Sequence, residues 1–265
     1  MRSAIRRTFR GEPRSAGFLP DLLTTLFPRV CPLCRERSLT REEDFCADCA
    51  AGFSLIEPPC CKRCGEPLSP GIASVPLLCG RCLTDPAGLP GDEFLVRSAA
   101  YYTGELRRAI LLLKYGRQTW MGSHLGLFLL KACRRLFPGE AFHGILPVPL
   151  HPRRLRERGF NQCQLIARPL GKSLRIPVEL QAVRRIRYTP AQSASGPAER
   201  RRNLVGAFGV HRPAAIRGRS ILVVDDVYTS GATMNTLAST LFRAGARRVC
   251  GLTLARSSRL PRALP

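Results

Sequence analysis

Lysine is scarce in this 265-residue chain. Only Lys62, Lys114, Lys131 and Lys172 stand among 42 basic residues, against 19 acids, for a formal net charge of +23. The arginine bias, with abundant Ala, Gly, Pro and Leu, is what a GC-rich genome produces; it does not explain the surplus of positive charge. Aromatic residues make up 7% of the chain and form no run within its basic stretches, which argues against sequence-neutral binding of single strands by base stacking. Long apolar runs are missing too. "AILLL" from Ala109 and "LGLFLLKAC" from Leu125 fall short of the roughly 18 to 20 residues that cross a bilayer, so no membrane insertion is expected. Arg2, Arg6, Arg7, Arg10 and Arg14 lie in the first twenty residues, but no apolar stretch of about 7 to 15 residues follows as a signal peptide requires. A cytoplasmic location is therefore expected. Neither G-x-x-x-x-G-K-[ST] nor G-x-G-x-x-G occurs, which excludes a nucleotide P-loop and a dinucleotide fingerprint.

What is present begins with the cysteines. Nine of twelve lie between Cys31 and Cys82, and eight of these form C-x-x-C pairs: Cys31/Cys34, Cys46/Cys49, Cys61/Cys64 and Cys79/Cys82. Two intervening residues let a tight turn aim both thiolates at one ion, and two such pairs complete a tetrahedral zinc shell. Loops of 11 and 14 residues between pairs suit two successive ribbons, Cys31, Cys34, Cys46 and Cys49 on one zinc and Cys61, Cys64, Cys79 and Cys82 on the other. An interleaved cross-brace is the other arrangement. Cys60 is the alternative to Cys61, although Gly65 directly after Cys64 in "CKRCGEP" favours Cys61. A disulfide framework is at odds with a cytosolic chain, and four pairs are too many for one redox centre. With so little core of its own, the module needs its two zinc ions to fold, so they are structural. Cys133, Cys163 and Cys250 sit in apolar patterns, where free cysteine acts as a small hydrophobe.

The Pro- and Gly-rich "DPAGLPGDE" separates this module from a longer segment in which strands and helices alternate. "FLVRSAAYY" reads as a strand, "GELRRAILLLKYG" as a helix, 119–137 as a second helix and "GILPVPL" as a short buried strand. "NQCQLIARPLGKSL" reads as a helix, "VELQAV" and "SILVVDD" as strands, 231–243 as a helix and "RVCGLTLA" as the closing strand. Such alternation predicts an α/β fold with a doubly wound, mainly parallel sheet. The expected division is a basic tail over 1–21, a double zinc ribbon over 22–84 and an α/β domain over 93–258. From Pro147 to Arg219 there are 16 Lys or Arg against Glu157, Glu179 and Glu199; that surplus suits polyphosphate or nucleic acid, and equally a solvated basic face.

Ligands of doubly wound sheets bind beyond the carboxyl ends of the strands. "ILVVDDVYTSGAT", residues 221–233, would bury its aliphatic run in the sheet, present Asp225 and Asp226 at that end, and form the turn into the next helix with Thr229 to Thr233. Backbone N–H groups at a helix start, with the positive end of the dipole, suit a phosphate. An aliphatic strand, two acids and T-S-G-x-T resemble the phosphoribosyl pyrophosphate (PRPP) signature of type I phosphoribosyltransferases. "LPVPLHPRRLRERGFNQCQLIAR", "TPAQSASGPAERRRNLVGAF" and the eight cysteines extend the likeness, and the whole resembles the ComF/GntX family, a double zinc ribbon fused to a phosphoribosyltransferase domain.

That resemblance implies roles for the matching positions. Asp225 and Asp226 would contact the ribose 2' and 3' hydroxyls, and Thr229, Ser230, Gly231, Ala232 and Thr233 would bind the 5'-phosphate. The loop from Pro149 to Arg154 would cradle pyrophosphate, with Arg153 and Arg154 as its cations and magnesium bridging pyrophosphate and ribose. His124, His143 and His211 pair with no nucleophile and are expected to be structural or exposed; His151 adjoins the pyrophosphate loop, where a ligand contact and a structural role both stay open. The segment from Arg184 to Arg202 is either a loop that closes over PRPP or a plain connection. Two functions follow from the resemblance. One is transfer of ribose 5-phosphate from PRPP to an acceptor; the other is a PRPP-binding accessory of DNA uptake and competence that meets single-stranded DNA or partner proteins. The acceptor and the oligomeric state stay open.

Overall fold

Aliphatic strands and amphipathic helices together build the α/β part. The structure, a computed structural model, describes residues 29–40, 43–68, 77–84, 90–188 and 204–257. The expected basic tail and Arg200, Arg201 and Arg202 lie outside them. Two five-residue helices in the cysteine module, α1 (Ala47–Ala51) and α2 (Gly80–Thr84), precede strand β1 (Phe94–Tyr101), α3 (Gly104–Tyr115) and α4 (Met121–Leu136). Then come β2 (Gly144–Pro147), α5 (Pro152–Arg158), α6 (Gln162–Leu174), β3 (Val183–Arg185) and β4 (Phe208–Val210). β5 (Ser220–Tyr228), α7 (Ala232–Arg243) and β6 (Arg248–Arg256) complete the described elements.

The main sheet has the order β1-β6-β5-β2, and every neighbouring pair is parallel. β5 is central and its first five residues are buried, the apolar run expected of a strand covered on both faces. Leu222, Val224, Leu252 and Leu254 join one core with α3, α4 and α6 residues such as Leu106, Leu125 and Ile166. Ile221, Val223 and Val249 join the other with Met234, Leu237 and Leu241 of α7. The sheet is thus doubly wound. Leu106, Ala109, Ile110 and Leu113 of α3 are fully buried at helical spacing, each large side chain contributing about 1.5–3 kcal/mol of burial. α4 and α6 approach closely because a side chain at Gly126 would strike the Ile166 carbonyl and Pro169.

Three local expectations need correction. "VELQAV" is no strand: Val178 makes an isolated parallel bridge to Ile145, and the chain then bends through exposed Leu180. That bend redirects Val183–Arg185 into a separate antiparallel pair with β4, so the segment expected as a loop from Arg184 begins as a strand. Second, β5 does not end at the acids. Its pairing with β6 continues through Val227↔Ala255 and Tyr228↔Arg256, while pairing with β2 stops at Pro147↔Val224. Third, Arg153 and Arg154 lie on α5, not on an extended loop, because Pro152 at its first turn and the His151 side chain, accepting from the Arg153 N–H at 3.2 Å, start a helix.

The cysteine module packs onto the sheet. Leu55 bridges Ala100 antiparallel, Ile56 N–H donates to Ala99 O at 3.1 Å, and Tyr101 N–H donates to Ser54 O at 2.8 Å. The outer edge of β1 is thereby covered, as exposed sheet edges commonly are. Phe45 and Phe53 stack edge to face at 5.0 Å, Phe53 meets Phe128 of α4 at 5.2 Å, and Lys131 pairs with Asp44 at 2.8 Å. Among the described residues no helix is long and apolar enough to cross a membrane.

Candidate functional site

The eight C-x-x-C cysteines form two tetrads. Cys31, Cys34, Cys46 and Cys49 make one, Cys61, Cys64, Cys79 and Cys82 the other, and the sulfurs of each lie within 4.8 Å of one another. The pairing is sequential, not interleaved. A tetrahedral zinc–thiolate shell with Zn–S near 2.3 Å sets sulfurs about 3.8 Å apart; Cys34–Cys46 at 3.8 Å and Cys64–Cys79 at 3.5 Å match that spacing. Zinc fits both donor sets. Cys60 stands outside them, its thiol donating to Glu57 O at 3.3 Å.

Asp225 and Asp226 project where β5 has outrun β2. Asp226 is buried, and Lys114 from the last turn of α3 pairs with its Oδ1 at 2.9 Å. Gln162 Nε2 donates to its Oδ2 at 2.8 Å. Gln162 and Cys163 occupy the first turn of α6, whose start is fixed by Asn161: its side chain accepts from Cys163 N–H at 2.9 Å and donates to Val148 O at 3.0 Å. The positive end of the α6 dipole therefore faces the carboxylates. The Cys163 thiol donates to Asp225 Oδ1 at 3.3 Å, which also accepts from Asp226 N–H at 2.9 Å.

Burial, with the Asp226 carboxylate beside it, pushes Asp225 up to about 7. Cys163 is raised well above the usual thiol range by burial and by Asp225, so it stays a neutral donor. Burial draws Lys114 down, but Asp226 outweighs it and the ammonium is held above its ordinary value. Among the described residues Asp225 carries no ion pair, whereas Asp226 already has a cation. Asp225 is thus the hard oxygen ligand that a magnesium ion would find here, the neighbouring thiol being soft.

After β5, Thr229 is exposed and Ser230 half-buried, and Gly231 opens α7 with φ +78°. Only glycine fits there, because a side chain would also run into the Tyr228 hydroxyl. Ala232 and Thr233 lie at the N-terminal turn of α7, and the Ser230 hydroxyl accepts from the Ala232 N–H at 3.4 Å. Arg81 of α2 reaches this loop from the cysteine module, donating to Ser230 O at 3.2 Å and to Tyr228 Oη at 3.4 Å.

On the other side of the acids, a cavity of about 470 Å³ is lined by Lys114, Tyr115, Arg117, Arg154, Glu157, Arg158 and Tyr188. Arg154 lines it; Arg153 instead pairs with Glu157 at 3.0 Å and lies 4.7 Å from the Tyr188 ring centre. His151 caps α5 and meets Tyr188 edge-on at 5.2 Å. Lys114, Gln162, Cys163, Arg81 and Tyr228 were not expected from sequence. The scarcity of lysine was a signal for Lys114. For Cys163 and Gln162 it was adjacency to the Asn161 cap; Cys163 packs in the apolar core as expected and in addition donates to Asp225.

Comparison with known proteins agrees with this layout. Residues 22–83 match the double zinc ribbon domain and residues 158–261 the phosphoribosyl transferase domain. The chain is 34% identical over 225 residues to DNA utilization protein YhgH of Escherichia coli O157:H7, covering 84% of this chain and 94% of that one. It is 28% identical over 231 residues to competence protein F of Haemophilus influenzae, covering 86% and 96%. To competence protein ComFC of Bacillus subtilis it is 25% identical over 222 residues, covering 83% and 87%. Two cysteine tetrads docked on a doubly wound parallel sheet, with relatives matched along nearly their whole length, establish that the chain belongs to the ComF/GntX family.

Proposed function

We propose that the chain binds PRPP across the carboxyl end of β5 and transfers its ribose 5-phosphate to a nitrogen acceptor, releasing pyrophosphate. One observation carries this reading. Two acids on the central strand stand between a helix start with a left-handed glycine and a cation-lined cavity. Asp225 and Asp226 hold the ribose hydroxyls, Thr229 to Thr233 the 5'-phosphate, and Arg153 and Arg154 the pyrophosphate side. In the reaction the acceptor lone pair forms a bond to C1', the C1'–O bond breaks with its electrons leaving on pyrophosphate, and the acceptor nitrogen loses a proton. Positive charge growing on the ribose is met by Asp225; negative charge growing on the leaving group is met by Arg154 and Lys114. Magnesium, when bound, adds positive charge to the pyrophosphate oxygens. Lys114 and Gln162 orient Asp226, so ligand binding need not order it. Calorimetry should show magnesium-dependent PRPP binding that disappears in Asp225→Asn/Asp226→Asn; unchanged binding in the double variant would remove the assignment. Release of pyrophosphate across a panel of nitrogen bases tests turnover.

The relatives' names, DNA utilization protein and competence protein, favour a second reading. Here PRPP is a sensed ligand and the surface around the cavity meets single-stranded DNA. Arginines lie over three partly exposed rings: Arg158 over Tyr115, Arg153 over Tyr188 and Arg35 over Trp120, a pairing of cation and aromatic that suits unstacked bases. Affinity for a single strand should fall steeply with salt. Silence across the base panel together with such binding would favour this reading over transfer.

A further inference from the structure

We infer that Arg81, seated between the second tetrad's Cys79 and Cys82, is a positioning residue for the 5'-phosphate loop, so that this tetrad governs one half of the ligand site. The inference rests on the PRPP reading above. Three contacts link tetrad and loop. Arg81 donates to Ser230 O at 3.2 Å and to Tyr228 Oη at 3.4 Å, holding the loop by its backbone. Tyr228 lies beneath Gly231, whose missing side chain leaves room for the hydroxyl. Arg256, only 1% exposed, lies 4.4 Å from the Tyr228 ring centre and donates to Cys64 O at 2.8 Å, while its guanidinium pairs with Glu66 at 2.6 Å. Tyr228 is therefore gripped on its ring by the arginine that holds the Cys64 knuckle, and on its hydroxyl by the arginine of α2.

The arrangement is asymmetric. The other tetrad packs on α4 through Phe45, Phe53 and Phe128, away from the loop. Arg81 is exposed as a residue, so its removal spares the core. A fold-holding role for it would predict a general loss of stability. A positioning role predicts a loss confined to ligands that use the phosphate loop.

The test measures ribose 5-phosphate and pyrophosphate binding separately in wild type, Arg81→Ala and Tyr228→Phe. Loss of a charge-assisted hydrogen bond should weaken ribose 5-phosphate by roughly tenfold in Arg81→Ala, with pyrophosphate affinity and zinc content unchanged. Tyr228→Phe keeps the ring and should weaken the same ligand alone; since Tyr228 is buried, that result assigns the effect to loop position rather than to a charge touching the ligand. In Cys79→Ser, zinc should fall by one ion per chain with the same selective loss, and Arg81→Ala carries the test if that variant does not fold. Equal ribose 5-phosphate binding in wild type and Arg81→Ala, or equal losses for both ligands, overturns the inference. A wild type that binds neither ribose 5-phosphate nor PRPP refutes the PRPP reading itself.

Discussion

Replacing Lys114 with methionine keeps the stem and removes the charge, leaving Asp226 with Gln162 alone and with Asp225 beside it. The Lys114–Asp226 pair is close, at 2.9 Å, and buried, its side chains being 16% and 7% exposed. Removing one partner of such a pair typically costs about 3–5 kcal/mol, against at most about 1 kcal/mol for an exposed pair. Lys114→Met should therefore lose about 3–5 kcal/mol at pH 8. The pH dependence identifies the cause. Lys114 is held above its ordinary value in the fold, so its contribution is complete below the unfolded lysine value of about 10.4 and fades only as pH rises beyond it. The titration of Lys114 itself therefore adds no difference between pH 5 and pH 8. Asp225 behaves oppositely to an ordinary paired carboxylate: with its folded value at about 7, the folded state holds the extra proton above the unfolded value of about 4, and stability falls as pH rises through that window. The variant should accordingly be less impaired at pH 5, where a proton relieves the carboxylate pair. Urea unfolding of wild type, Lys114→Met and Lys114→Met/Asp226→Asn at both pH values measures this, and the double variant should recover most of the loss. A loss below about 1 kcal/mol at both pH values would refute the assignment of Lys114 as the buried counter-ion of the site.

Magnesium-dependent PRPP binding should strengthen from pH 6 to pH 8 as Asp225 ionises near 7, the charged fraction falling about tenfold per unit well below that point. Asp225→Asn should keep only the part of the slope that belongs to the ligand's own phosphates, so equal slopes in calorimetry would exclude Asp225. Gly231→Ala places a side chain at φ +78° and against Tyr228; it should destabilise the loop by about 1–3 kcal/mol and abolish ribose 5-phosphate binding, and a variant that binds normally would show that α7 starts elsewhere. Metal analysis should return two zinc ions per chain, from four sulfurs each, whereas one would leave a tetrad without metal.

Legibility from sequence followed the physics of each segment. β5 was readable because a central strand needs a continuous apolar run, and the tetrads because C-x-x-C spacing is local. Sequential zinc pairing was the expected order, with an interleaved cross-brace as the alternative that spacing alone does not exclude, and the two tetrads are sequential. α5 was missed because it has no buried residue: a short helix started by Pro152 and a histidine cap carries no apolar period. "VELQAV" misled for the opposite reason, alternating like a strand while Leu180 faces solvent. Lys114 and Arg81 reach the acids and the loop from elements far away in the chain, and a long-range ion pair leaves no mark on local pattern. The readings of Arg200 to Arg202 concern residues outside those described.

β6 lies between β1 and β5 in the sheet yet follows both in the chain. Contacts such as Ser98 Oγ with Thr253 Oγ1 span 155 residues, so the sheet cannot assemble as the chain emerges during synthesis. Loop closure over such a separation slows folding, and β1 must wait with one edge bare. Its other edge is taken by Ser54 to Ile56, which halves the surface on which a nascent chain can pair wrongly with its neighbours. A chain cut before Arg248 would keep its eight tetrad cysteines and its two acids, and lack the strand that joins them into one body.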